Sequence, residues 1–61
     1  MIEYEVRILN REGEAVIRDS EVHYSDIRAI NWGRRLAKGM RYEVWRGSNK
    51  IFPVPTRPIL I

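Results

Sequence analysis

The sequence predicts an α+β domain of two layers, with one helix packed on a mainly antiparallel four-stranded sheet, in the order strand–strand–helix–strand–strand. Three observations carry this. Apolar residues alternate with polar ones near both ends of the chain. A capped, amphipathic, helix-period segment lies between them, and glycine-bearing turns divide each flank into a hairpin.

Ile2, Tyr4, Val6 and Ile8 alternate with Glu3, Glu5 and Arg7, the period-2 pattern of a half-buried strand with its even positions inward. Asn10-Arg11-Glu12-Gly13 is a turn. Glu14 to Arg18 reads as a shorter strand around Val16 and Ile17. Asp19 to Tyr24 reads as a connection with an extended end at Val22. Ser25 is a good N-cap and Asp26 an acid suited to a helix N-terminus, so a helix is expected from about Asp26 to Lys38, stopped by Gly39. At about 100° per residue, Ala29, Ile30, Gly33, Leu36, Ala37 and Met40 share one side, and Arg28, Asn31, Arg35 and Lys38 the other. Gly33 between two alanines predicts close approach of helix and sheet, which would offset a propensity cost of roughly 1 kcal/mol. Met40 to Arg46 alternates again, Gly47-Ser48-Asn49 turns, and Lys50 to Val54 forms the last strand before Pro53 and Pro55 end ladder donation. The expected core is Tyr4, Val6, Ile8, Ile17, Ile30, Leu36, Met40, Tyr42, Val44 and Ile51. The expected organisation is a single domain over residues 1–55 and an apolar C-terminal tail over residues 56–61.

Several of these residues form a pattern: Tyr4-x-Val6, Gly13, Asp26 before an alanine-bearing helix, Leu36-Ala37-x-Gly39, then Glu43-Val44-Trp45-Arg46-Gly47 and Ile51. Across about residues 2 to 54 it resembles small bacterial proteins of unknown function. Those proteins have an acidic helix start, a leucine-alanine-x-glycine helix end and a glutamate-hydrophobe-tryptophan-x-glycine strand. This chain departs from them in having Ser25 where a second acid is common and Gly33 where alanine is common. The resemblance implies the architecture and no activity.

Sixty-one residues without cysteine exclude disulfides and thiolate zinc sites. A chain this short buries only about 60% of its unfolded surface, which raises the expectation of self-association. Charge is strongly segregated. From Met1 to Asp26, seven acids face three arginines, a net of −4. From Ile27 onward, eight bases face Glu43 alone, a net of +7. Such asymmetry fits either a surface for a polyanion or two halves that attract within one fold. No run approaches the roughly 18 apolar residues of a membrane span. The opening Ile2-Glu3-Tyr4-Glu5 is not a secretory signal, so a cytoplasmic protein is expected.

Catalysis has the least support. There is no cysteine and one imidazole, His23, and no glycine run matches a phosphate loop. His23 with Asp19 or Asp26 could form a dyad, but a polar surface histidine is the simpler reading. No catalytic, metal or cofactor site and no small-molecule ligand is expected. Nucleic-acid binding is the alternative, through Arg28, Arg34, Arg35, Lys38 and Arg41 with Trp32 at the edge of that face. Against it stands the ordinary solvated helix face, with Trp32 folding over the sheet edge beside Leu36 and Glu3 and Glu5 facing Arg41. The leading expectation is a small non-enzymatic protein-interaction module, with a protein partner or a homodimer. Its contact residues would be Trp45, exposed on an uncovered sheet face, with Arg46 and the apolar tail residues Ile59, Leu60 and Ile61.

Overall fold

The computed structural model describes residues 1–54. The expected tail, with Ile59, Leu60 and Ile61, lies outside the described residues. Two antiparallel hairpins flank one helix: β1 (Ile2–Leu9), β2 (Ala15–His23), α1 (Asp26–Ala37), β3 (Tyr42–Arg46) and β4 (Asn49–Phe52). The sheet order is β2-β1-β3-β4, so the first strand of each hairpin lies at the centre. The predicted α+β architecture is the one observed.

Each turn has a local cause. In the first hairpin, Asn10 Oδ1 accepts from the backbone N–H groups of Glu12 and Glu14, at 3.0 and 2.9 Å, and Gly13 takes φ +83°. In the second, the loop is only Gly47-Ser48, with Gly47 at φ +60° in the position a type II′ turn reserves for glycine. Ser25 caps α1 as expected, its hydroxyl accepting from Arg28 N–H at 3.3 Å. The helix ends at Ala37, one residue early, because Lys38 itself turns left-handed (φ +50°) ahead of Gly39 (φ +89°). A non-glycine residue there costs roughly 1–2 kcal/mol, which the turn into β3 imposes.

The core is Tyr4, Val6 and Ile8 of β1, Val44 of β3, and Ala29, Trp32 and Ala37 of α1. Ile30, Leu36, Tyr42, Ile51 and Phe52 are packed against it. Gly33 sits where the layers meet: a Cβ built there would lie 3.0 Å from two carbons of the Tyr42 ring and 3.2 Å from Val44 Cγ2. The expected close approach is real.

Three expectations are corrected. The segment from Asp19 to His23 is not a connection but the second half of β2, paired residue by residue with β1 from Ile2–His23 to Val6–Asp19. Eight of the nine β2 residues are exposed, so neither face selects for apolar residues and no alternation marks the strand. Ile17 is 52% exposed although it pairs with buried Ile8; the aromatic contact between α1 and β2 is at the other end of the strand, where His23 meets Trp32. Met40 is 46% exposed and precedes β3, in the turn that Lys38 and Gly39 begin. Trp32 is buried in the core, in agreement with the reading that folds it over the sheet beside Leu36 and against the placement at the edge of the basic face that the nucleic-acid alternative uses.

Candidate functional site: a basic cleft and an open sheet edge

The distribution of ion pairs answers the question that the charge asymmetry raises. Among the described residues, one ion pair joins the acidic first part of the chain to the basic second part. Arg46 Nη1 donates to both carboxylate oxygens of Asp26, at 3.0 and 3.1 Å. Tyr4 donates its phenolic hydrogen to the same Asp26 Oδ1 at 2.6 Å, so β1, α1 and β3 meet at one carboxylate at the helix N-terminus. Arg46, an expected interface residue, is therefore engaged within the fold.

The hydrogen bond to Asp26, and burial after it, hold the Tyr4 phenol above its ordinary pKa near 10. The folded state thus favours the neutral phenol. The stabilisation is complete below pH 10 and is lost as pH rises through the higher folded value. A phenolate absorbance titration is expected to show one tyrosine step above pH 10 that is missing in Tyr4→Phe and moves down in Asp26→Asn. A Tyr4 step at or below pH 10 in the unaltered protein would refute the assignment.

The outer sheet face is more occupied than the sequence implies. The Arg7 guanidinium lies 4.3 Å from the centroid of the Trp45 ring and also pairs with Glu5. Trp45 Nε1 donates to Glu43 Oε1 at 3.0 Å, and Lys50 Nζ is 3.6 Å from Glu43 Oε2. Trp45 is half-buried under this network, not a bare apolar anchor. Glu5 pairs across the sheet with Trp45 and Ser20, and Glu3 with Val22. Neither faces Arg41, which precedes β3.

Arg28, Arg34, Arg35, Lys38 and Arg41 make no ion pair among the described residues. The fold does not gather all five. Consecutive helix positions lie about 100° apart, so Arg34 leaves a different flank from Arg35. Arg41 lies at the far end, beside Leu9 and Met40. Arg28 and Arg35 do converge: with Asn31 and His23 they line a cleft of about 380 Å³.

No protein-family model, curated protein or solved structure matches this chain. No activity or site residue reaches it through a relative, and the cleft must be read from its own chemistry.

His23 is the residue whose place the sequence conceals. It ends β2, and its side chain is 14% exposed. Its imidazole lies 4.9 Å from the Trp32 ring and 6.1 Å from the Tyr4 ring, centroid to centroid. It is not the expected surface histidine. Nε2 is buried without a hydrogen-bond partner. Glu21 Oε1 lies 3.2 Å away, outside hydrogen-bond geometry. Asp26, one of the two acids considered for a dyad, is bonded to Tyr4 and Arg46 instead. The only periodic signal available was that Trp32 follows Arg28 by four residues and precedes Arg35 by three, which places an aromatic beside both bases.

Two further surfaces are open. Leu9, Met40, Tyr42, Phe52 and Pro53 border a mostly apolar concavity of about 350 Å³. β2 has β1 as its one neighbour among the described residues, and Val16, Ile17 and Val22 are about half exposed along it. No helix among the described residues is long and apolar enough to cross a membrane, and no group of three or more His, Cys, Asp or Glu side chains there could hold a metal ion.

Proposed function

We propose that the domain is a non-enzymatic protein-interaction module and that its contact surface is the β2 edge, where an extended segment of a partner adds as a fifth strand. The observation that carries this reading is a nine-residue edge strand, exposed at eight positions, whose outward N–H and C=O groups have no strand beside them among the described residues. Apolar Val16, Ile17 and Val22 add side-chain contact to that backbone template.

The charges on β2 indicate which partner fits. Asp19 and Glu21 pair with Val6 and Tyr4 and so stand on the helix side of the sheet. An added strand with lysine or arginine at two alternate positions would meet both acids. A second copy fits poorly. Antiparallel pairing of two β2 strands about a two-fold axis normal to the sheet aligns residues of equal parity. The three central registers then oppose Arg18 to Arg18, Asp19 to Asp19, or Asp19 to Glu21 twice. This favours a heterologous partner over the homodimer. The resemblance to small bacterial proteins supports a bacterial origin for the module.

Amide chemical shifts test the proposal. A peptide alternating lysine with valine is expected to shift β2 amides, and its glutamate counterpart is not. Asp19→Lys combined with Glu21→Lys is expected to reverse that preference. Unmoved β2 amides with either peptide would refute the site, and a concentration-dependent dimer that protects β2 amides would replace the heterologous partner with a second copy.

One observation favours a second reading, nucleic-acid binding through the bases of α1 with Lys38 and Arg41 beyond its end: Arg28, Arg34, Arg35, Lys38 and Arg41 make no ion pair among the described residues. Oligonucleotide binding that falls steeply with salt and is weakened by Lys38→Glu would support it.

A further inference from the structure

The cleft beside Trp32 offers one kind of chemistry. Its walls are Arg28, Asn31, Arg35 and His23. Two guanidiniums present forked N–H donors and Asn31 a carboxamide, and no carboxylate is among the walls. Glu21 approaches His23 from within β2 and does not line the cleft. Neither arginine is neutralised by an ion pair among the described residues. One side is held in place: the His23 ring is packed against Trp32, which is 8% exposed, and against fully buried Tyr4. Arg28 is further positioned by the Tyr24 ring, 5.9 Å from its guanidinium carbon to the centroid.

We propose that this cleft is a binding site for a phosphate group, held by the guanidiniums of Arg28 and Arg35 and the side-chain amide of Asn31. Guanidinium forks match the paired oxygens of a tetrahedral oxyanion, and such charge-assisted hydrogen bonds are the strong ones. The volume of about 380 Å³ admits a phosphate with room for whatever carries it. Lys38, Arg34 and Arg41 do not line the cleft, which separates a discrete site from a diffuse basic face. The proposal departs from the expectation of no small-molecule ligand, which accompanied the missing cysteine, the lone histidine and the lack of a glycine-rich phosphate loop. It is independent of the β2 edge and shares only Arg28 and Arg35 with the nucleic-acid reading.

The test is a titration of the protein with inorganic phosphate, followed by the side-chain N–H signals of Arg28, Arg35 and Asn31. Saturable shifts confined to these groups and His23 are expected, with a dissociation constant on the order of 1 mM, typical of a small anion on two exposed cations. Arg28→Gln and Arg35→Gln are each expected to weaken binding by about tenfold or more, equivalent to roughly one charge-assisted contact, while Lys38→Gln and Arg41→Gln leave it unchanged. These side chains are exposed, and amide spectra of the variants establish that the fold is kept. A parallel titration with oligothymidylate separates the sources of phosphate. Tighter binding that Arg28→Gln and Arg35→Gln both weaken would place a nucleic-acid backbone in the cleft, whereas oligothymidylate no tighter than free phosphate would leave a small phosphate-bearing ligand. Non-saturable shifts spread equally over Arg34, Lys38 and Arg41, or oligothymidylate binding indifferent to Arg28 and Arg35, would overturn the site.

Discussion

Gly33→Val is expected to lower the stability of the fold by about 3 kcal/mol or more, and Gly33→Ala to lower it by about 1 kcal/mol although alanine is the better helix former. A Cβ at Gly33 would stand 3.0 Å from the Tyr42 ring and 3.2 Å from Val44 Cγ2. Neither neighbour can retreat freely. Val44 is fully buried, and the Tyr42 ring is stacked on Phe52 with centroids 4.8 Å apart. The Tyr42 hydroxyl also reaches the Ile30 carbonyl at 3.4 Å. Overpacking of this kind costs about 1–3 kcal/mol for alanine, against about 1 kcal/mol gained in helix propensity. Valine adds two methyl groups and a stiffer χ1, so its cost is about 3 kcal/mol or more. A domain of this length has roughly 3–9 kcal/mol in total. Urea unfolding of the two variants checks this. A Gly33→Ala protein more stable than the parent would mean that the sheet yields and that the close approach is not what selects glycine.

Trp32→Ala is expected to cost about 3–5 kcal/mol, and Trp45→Ala only about 1 kcal/mol. Trp32 belongs to the buried core and covers the His23 ring, so its removal opens a cavity that the edge strand cannot fill. Trp45 lies on the outer face, where its loss gives up the Arg7 contact and one hydrogen bond to Glu43. Each variant retains a single tryptophan, so emission separates the two environments: blue-shifted when Trp32 remains, red-shifted when Trp45 does. Equal costs would show that Trp32 is no more central to the fold than Trp45.

The two tryptophans also show where sequence reasoning reaches its limit. Strand alternation correctly puts Trp45 on the outer face, but alternation cannot report that Arg7, two positions from Glu5 on a neighbouring strand, turns its guanidinium onto the ring. Trp32 lies at the boundary between the apolar and basic faces of the helical wheel, and a boundary residue takes whichever side its neighbours leave open. Here β2 runs on to His23 and supplies a ring for it to pack against.

The sequence by itself determined the element types, the caps and turns, the inward face of β1 and the small residues that bring α1 down onto the sheet. Each of these depends on local conformational preference or on a period read along one segment. The tertiary structure alone decided the strand order, the length of β2, the burial of Trp32 and His23, and which bases share a cleft. Those outcomes depend on which segments become neighbours. The second half of β2 is legible only through its ladder with β1, since its side chains before His23 are exposed and carry no period. Arg28 and Arg35 share a cleft with His23 only because the strand that ends at His23 closes the space beside them.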